Sequence, residues 1–364
     1  MRRNRGKPGR ISDWTRRTRE SDGYDLENSR SEQVTGKGDV SRRRTVTLKD
    51  SDESAEAGLT RGTVIAMRGL YAEVDDGQCI RLCTVRRMLR TRLIKERHPV
   101  TVGDHVQFKA ESDHQKTGSE EGAIESVDPR RGQLVRRVGR RIQTIVANVD
   151  QAIIVSSADE PPPRPNLIDR YGVAALAGGI TPVICMNKID LDRAGQARRL
   201  LDRYAELGWA VVRTSVPSGE GIDELRGILR GRASVIAGQS GVGKSSLLNS
   251  VQPGLDLRIG ETIKETGKGR HTTTTASLIR LEVGGYVVDT PGVRSFDMAV
   301  VPRHELEAHF VEFLPHIPHC KFPDCSHTHE AGCAVKRALE EGRIHPQRYE
   351  SYVRLYEERP DDRG

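Results

Sequence analysis

The chain has 364 residues, 35% hydrophobic and 30% charged, with a formal net charge of +7 and a mean hydropathy of −0.56. That length accommodates two or three domains, and the low apolar share implies that part of the chain stays out of any core. No run approaches the roughly 20 apolar residues that span a bilayer, and no apolar signal core follows the first residues, so a membrane role is excluded and a cytoplasmic location expected. The six cysteines are too few and too unevenly placed for a disulfide framework. The basic balance is compatible with a polyanionic partner, RNA being the obvious candidate.

Residues 1–58 carry "MRRNRGKPGR", "TRRTRE" and "SRRR" among Ser, Asp and Glu, with almost no aliphatic runs. This composition predicts a disordered basic arm. Asp13, Glu20, Asp22, Asp25 and Glu27 argue against an acid-poor organellar transit peptide. A solvated tail and loose contact with nucleic-acid backbone are the two readings of the arm.

From 59 to 137 the pattern changes to short alternating stretches: "GTVIAM", "GLYAEVDDG", "QCIRLCTV", "VGDHVQFKA" and "GAIESVDP". Five such segments with turn residues between them predict a small antiparallel barrel of the OB-fold type. Between the third and fourth lies "RRMLRTRLIKERH", dense in Arg86, Arg87, Arg90, Arg92 and Lys95. Barrels of this kind bind oligonucleotides on one face and its loops; a purely structural role for these charges is the alternative.

Residues 138–297 have the rhythm of an α/β sheet. The apolar strands "QAIIVSS", "TPVICMN", "WAVVRTS", "ASVIAG" and "GYVVDTP" alternate with helical stretches such as "LIDRYGVAALAG" and "GIDELRGIL", the pattern of buried parallel strands with function at their carboxyl ends. "PPPRP" at 161–165 reads as a loop within this domain. Residues 298–364 turn helical, cross a Cys/His-rich knot and end in "PQRYESYVRLYEER", an amphipathic helix by its spacing.

"GQSGVGKSS" at 238–246 sits between the strand "ASVIAG" and the helix "KSSLLNSV", the context a phosphate-binding loop requires. Its residues Gly238, Gln239, Ser240, Gly241, Val242, Gly243, Lys244, Ser245 and Ser246 form the candidate cradle for the phosphates. The glycines let backbone N–H groups close on the β-phosphate, and the helix start adds positive potential. Lys244 would reach the β/γ-phosphates and Ser245 would ligate Mg²⁺. In "DTPG" at 289–292, Asp289 ends a strand where a carboxylate holds Mg²⁺ through water, and the Gly292 N–H could meet the γ-phosphate. The threonine run 272–275 between the two offers a further Mg²⁺ hydroxyl, with Thr273 the candidate and the specific residue open.

"NKID" at 187–190 follows "TPVICM", again at a strand end. Asp190 can accept the N1–H and N2 hydrogens of guanine, a donor pair adenine lacks. Asn187 can donate to O6, and the stem of Lys188 can cover the ring. Ser215, in "TSVPSGEG" after the next strand, falls where a second base-contacting loop would lie. Base recognition thus precedes phosphate binding along the chain, the reverse of an ordinary small GTPase. The order is that of a GTPase sheet whose original ends are joined and whose chain is cut open after the "DTPG" strand, a change that preserves spatial contacts.

"NVDQAIIVSS", "IDRY", "NKID", "GQSGVGKSSLLN", "GKGRHTTTT" and "DTPGVRSF", in this permuted order and between these flanking segments, make the chain similar to the circularly permuted, ribosome-associated GTPases of the RsgA (YjeQ) family across roughly residues 59–357. The resemblance implies a GTPase stimulated by the small ribosomal subunit and acting late in its maturation. The arginine-rich arm is a departure, and nothing carries over to it. Many GTPases place a water-orienting Gln directly after the glycine of the "DTPG" motif; here that position is Val293. His271 in "GRHTTTT" is the nearest polar candidate, and the resemblance points to the same histidine as the catalytic residue. A neutral imidazole can position water without being a strong base; an RNA contact is the other reading of His271.

"CKFPDCSHTHEAGC" carries Cys320, Cys325, His327 and Cys333, a good tetrahedral set for one structural Zn²⁺ ion with no open position. With few apolar side chains nearby, metal would supply the folding energy. His316, His319 and His329 compete for the imidazole position; the family pattern favours His327. Cys79, Cys83 and Cys185 fall on predicted strands as packing residues.

The expected protein is therefore multi-domain: an N-terminal OB-type β-barrel, a central circularly permuted P-loop α/β GTPase domain, and a C-terminal helical zinc-binding domain. The expected activity is GTP hydrolysis with Mg²⁺, on the small ribosomal subunit and its rRNA, by a monomer. A GTP-gated rRNA-binding scaffold with negligible turnover is the alternative that Val293 suggests, and an ATP-using kinase fails to explain "NKID". Because the "DTPG" strand leads into the C-terminal helices, switch movement is expected to reposition the knot, with barrel and knot as two RNA-gripping arms.

Overall fold

Alternating apolar residues in five short strands close them into a barrel: β1 (Thr60–Arg68), β2 (Tyr71–Asp75), β3 (Ile80–Val85), β4 (His105–Glu111) and β5 (Glu121–Val127). The computed structural model describes residues 58–85, 100–111, 121–138, 141–255, 276–289 and 301–358. The basic arm and the arginine-dense segment at 86–98 lie outside these residues. The pairs β1–β2, β2–β3, β4–β5 and β1–β4 are antiparallel, and β3–β5 is parallel. The closed order 1-2-3-5-4-1 is that of an OB-fold. Val64, Ala72, Val74, Cys83, Phe108 and Ile124 fill the interior with no exposed surface.

A hairpin of β6 (Gln133–Val138) and β7 (Arg141–Ala147) follows. It spans residue 137, where the sequence pattern puts the end of the barrel, and its Val146 bridges to Val102. The nucleotide domain comprises β8 (Gln151–Ser157), α1 (Pro165–Ala177), β9 (Thr181–Asn187), α2 (Gln196–Glu206), β10 (Ala210–Arg213), α3 (Ile222–Leu229), β11 (Ala233–Ala237), α4 (Lys244–Val251), β12 (Ser277–Arg280) and β13 (Tyr286–Asp289).

Among the described residues the strand order is β10-β9-β8-β11-β13-β12, all parallel except β12. Every residue of β8 is buried because helices cover both faces. Ala152 and Ile154 face the layer of α1 and α2, with Ile168, Tyr171, Leu200 and Tyr204. Ile153 and Val155 face α3 and α4, with Leu225, Leu229, Leu247 and Leu248. β12, only "SLIR", is a strand absent from the sequence-based expectation. It pairs with β1 at Ala66 and Ser277, joining barrel and nucleotide sheet.

The C-terminal part contains the 3₁₀ turns Arg303–His309 and Ile317–His319 and the helices α5 (Ala334–Glu340) and α6 (Pro346–Glu357), the last where the amphipathic spacing predicts it. Its core of Leu306, Phe310, Phe313, Val335 and Tyr352 takes in Val173 from α1. The dock onto α1 is also ionic. Arg348, 5% exposed, donates to Asp169 at 2.6 Å and to both oxygens of Glu312 at 2.6 and 3.2 Å. Tyr204 donates to the same Asp169 oxygen at 2.8 Å, and the guanidinium lies 4.6 Å over the Phe310 ring. Two desolvated carboxylates thus depend on one cation. Arg348→Ala is expected to lower stability by about 3–5 kcal/mol, measured by urea denaturation; a loss below about 1 kcal/mol would contradict a shared buried charge.

Candidate functional site

The guanine-type and phosphate-type loops meet through one side chain. Asn187 ends β9, is 2% exposed, and its Nδ2 donates to Val242 O, 55 residues away in the chain, at 2.9 Å. Its Oδ1 accepts from Thr214 Oγ1 at 3.2 Å. Asn187 therefore spends one amide hydrogen on the phosphate loop, leaving one for the O6 contact expected from sequence. A Cβ on Gly243 would stand 2.4 Å from that Nδ2, and Gly243 has φ +92°; only glycine allows this approach. Gly238 is confined likewise, since a Cβ there would meet Val155 O at 2.2 Å.

Lys188 adopts the left-handed conformation, φ 57°, and its Nζ donates to Glu160 O in the proline-rich loop. Asp190 is exposed in the 3₁₀ turn Ile189–Leu191. Ser215 is buried beside it: Ile189 N donates to Thr214 O at 3.1 Å, and Ser215 N to Glu220 O at 3.0 Å. Gly221 lets α3 start against Arg213 O, which a Cβ would meet at 1.7 Å. On the phosphate side, Lys244 Nζ is held by Gly238 O and Gln239 O at 2.9 and 2.8 Å. Burial pulls its ammonium below the ordinary lysine value, so a phosphate oxygen would replace neutral carbonyls with a full counter-charge. Gln239 Nε2 reaches Pro162 O at 3.4 Å. Ser240, Ser245 and Ser246 are exposed, and Val242 is buried. Asp289, 7% exposed, ends β13 on the strand next to β11, which leads into the phosphate loop. His271, Thr273, Gly292 and Val293 lie outside the described residues.

The ligand atoms of Cys320, Cys325, His327 and Cys333 lie within 4.8 Å of one another. His327 turns Nδ1 toward the sulfurs, 3.6 Å from Cys320 and 3.4 Å from Cys333. Its Nε2–H donates to Glu307 Oε2 at 2.6 Å, fixing the tautomer that leaves Nδ1 free to ligate. Burial, the largest single influence, lowers the His327 pKa, but Glu307 and Cys320 together outweigh it and the net shift is upward. Burial raises the Cys320 thiol, but the N–H groups of Ala334 and Val335, with His327 and Cys333, together outweigh it and the net shift is downward. Burial pushes Cys325 up to about 12. A thiol that costly to ionise alone fits a site where a cation compensates the thiolates. Tyr349 and Tyr352 donate to His327 O and Ser326 O at 2.7 and 2.9 Å, and Glu330 accepts from Ser326 N at 2.8 Å.

A sequence profile described as RsgA GTPase matches residues 127–299. The "small ribosomal subunit biogenesis GTPase RsgA" of Chlorobaculum tepidum is 45% identical over 263 residues, 70% of this chain and 84% of its own. Its Pseudomonas aeruginosa counterpart, strain UCBPP-PA14, is 42% identical over 327 residues, covering 88% and 91%. The chain belongs to the RsgA GTPase family. The expected enzyme class, a GTP hydrolase, follows from membership. Among solved structures, YjeQ from Thermotoga maritima superposes with TM-score 0.67 at 37% identity, covering 82% of this chain and 98% of that one. YloQ, described as a circularly permuted GTPase, gives 0.64 at 30%, covering 85% and 97%.

Within this chain the fold brings together Asn187, Lys188, Ser215 and the loop 238–246, and separately the four Cys/His residues. Sequence reasoning missed Thr214, Glu160 and Glu307, none of which follows a spacing rule. Glu307 is the most testable of these: Glu307→Gln, with fold retained by circular dichroism, is expected to weaken zinc affinity about 10- to 100-fold in competition with a chelating indicator, and unchanged affinity would detach Glu307 from the centre.

Proposed function

We propose that this chain binds GTP across the carboxyl ends of β9, β10, β11 and β13 and hydrolyses it with Mg²⁺ while engaged on the small ribosomal subunit during its late maturation. The observation that supports this reading best is the Asn187 bridge, a hydrogen bond from the turn at 187–190 to Val242 of the loop at 238–246. Asp190 would accept from guanine N1–H and N2, with Lys188 along the ring and Ser215 beside it. Gly238 to Ser246 would wrap the phosphates, and Lys244 would exchange its two carbonyl partners for phosphate oxygens. The Ser245 hydroxyl and the Asp289 carboxylate are hard oxygen donors, the type Mg²⁺ takes, and the ion would neutralise charge on the β/γ-phosphates. His271, with Val293 in the usual glutamine position, would orient the attacking water, the Gly292 N–H would contact the γ-phosphate, and a hydroxyl of the threonine run, Thr273 being the candidate, would complete the Mg²⁺ shell.

Cys320, Cys325, His327 and Cys333 would hold one structural Zn²⁺ that folds the knot. Barrel and knot would meet rRNA, the barrel through its loops. The domain limits that accompany this reading are 1–58, 59–137, 138–297 and 298–364. The reading takes the chain to work as a monomer in the cytoplasm; no helix among the described residues is long and apolar enough to cross a membrane.

The deciding measurement is steady-state GTP turnover with and without purified small subunits. Turnover should rise with subunits, and His271→Ala should keep GTP affinity while losing the stimulated rate; subunit binding without turnover would favour the GTP-gated scaffold. Guanine selectivity has its own check. Asp190→Asn sets an amide donor against the guanine N2 amino group, so GTP affinity should fall about 10- to 100-fold while xanthosine triphosphate, with a carbonyl there, gains. Equal GTP binding by variant and wild type in nucleotide titrations would remove Asp190 from the base site.

A further inference from the structure

Side-chain contacts from both strands of the β12–β13 hairpin converge on one buried carboxylate of the barrel. Asp75 ends β2 and is 4% exposed. Its Oδ2 accepts from Tyr286 Oη at 2.9 Å. Arg280 Nη1 donates to both carboxylate oxygens at 3.3 and 3.4 Å, and to Gly77 O at 3.2 Å. Gly77 N donates to Oδ1 at 2.8 Å, which sets the carboxylate in its turn. Burial, reinforced by the Asp75 acceptor, pushes the Tyr286 phenol up to about 12, so it remains a donor at neutral pH.

The two donors are not independent. Arg280 and Tyr286 are direct cross-strand partners in the β12–β13 hairpin. Three residues along, the same hairpin pairs Ser277 with Asp289. At about 3.4 Å per residue, Asp75 grips the hairpin roughly 10 Å from the carboxylate assigned to Mg²⁺. On its other side β13 is fixed to β11, with Val235 opposite Val288, and β11 runs into the phosphate loop. Met67 of β1 packs on both the barrel core and the nucleotide-domain core, and Ala66 pairs with Ser277. The hairpin bearing Asp289 is therefore clamped between the phosphate-loop strand and the barrel.

We propose that Asp75 is a positioning residue for GTP turnover: through Tyr286 and Arg280 it holds the β12–β13 hairpin to the barrel, so that what the barrel binds sets the place of Asp289 against the phosphate loop. This rests on the functional reading above and names the route by which subunit engagement reaches the GTP site. Asp75 touches no nucleotide; its effect passes through the hairpin.

Two mild variants of the full chain test it. Asp75→Asn keeps the shape and removes the charge, and Tyr286→Phe keeps the ring and removes one donor. In both, free-chain turnover and nucleotide affinity should stay within about twofold of wild type, while the subunit-saturated kcat falls about tenfold with the KM for subunits little changed. Saturated rates equal to wild type, or an equal fall with and without subunits, would overturn the proposal. Hydrogen exchange of the Tyr71–Asp75 amides with GDP and with a non-hydrolysable GTP analogue gives a readout free of ribosomes. The wild type should show a nucleotide-dependent difference that Tyr286→Phe abolishes; a wild-type barrel indifferent to the nucleotide overturns the clamp. A wild type that subunits fail to stimulate defeats the functional reading instead, and the exchange result then decides the clamp by itself.

Discussion

The Asn187 amide is the point on which the nucleotide pocket depends. It donates to Val242 O and accepts from Thr214 Oγ1, so the loops that follow β9, β10 and β11 share one buried side chain. A buried amide left half-paired costs on the order of 1–3 kcal/mol, so each loop constrains the others. The glycine at 243 follows from the same contact, since the loop must pass within van der Waals distance of that amide. The turn at 187–190 and the loop at 238–246 are one structural unit, although 55 residues separate the donor and acceptor.

This is why the permuted chain order is harmless. The strands stand side by side as β10-β9-β8-β11-β13-β12, and the contacts between their carboxyl ends do not record which strand was made first. What the permutation changes is where the chain leaves the domain. With β13 followed by the C-terminal residues and β8 preceded by the barrel, both flanking parts attach to the nucleotide domain at sites of its own making: β12–β13 for the barrel, α1 for the C-terminal helices.

Local chemistry was legible in the sequence. The five barrel strands, the buried parallel strands, the phosphate loop, "NKID" and the Cys/His knot each announce themselves through periodicity or spacing over fourteen residues or fewer. The polar contacts that fix these parts against one another were not legible. Glu307 lies in a 3₁₀ turn upstream of the knot, Arg348 finds Asp169 across 179 residues, and Asp75 finds Tyr286 across 211; no local pattern encodes such pairings. One trace existed. Arg348 shares the buried face of α6 with Tyr352 and Leu355 at helical spacing, and a charge on an apolar stripe signals a buried partner. β12 was missed because its apolar pair, Leu278 and Ile279, stands between Ser277 and Arg280 and forms no apolar run.

The position of the C-terminal knot follows from which of its attachments is harder to break. The sequence connects it to the strand that ends at Asp289, which suggests that it follows the switch. The structure gives it a second tie, to the other side of the sheet. Arg348 is buried with Asp169 of α1 and with Glu312, and Val173 of α1 sits in the knot's own core. Gly172 brings α1 against Trp209, whose ring a Cβ would meet at 2.0 Å. Moving the knot relative to α1 would take Arg348 from the buried Asp169 and Val173 from the knot's core, whereas carrying α1 along would pull Gly172 from Trp209 and disturb the layer beneath β8 and β9. The barrel meets the β12–β13 hairpin through the Asp75 carboxylate and the Ala66–Ser277 pairing, and Arg280, one of the two partners of Asp75 across that junction, has a side chain 56% exposed. Of the two flanking parts, the barrel is the one held by cross-strand and side-chain contacts to the hairpin that ends at Asp289.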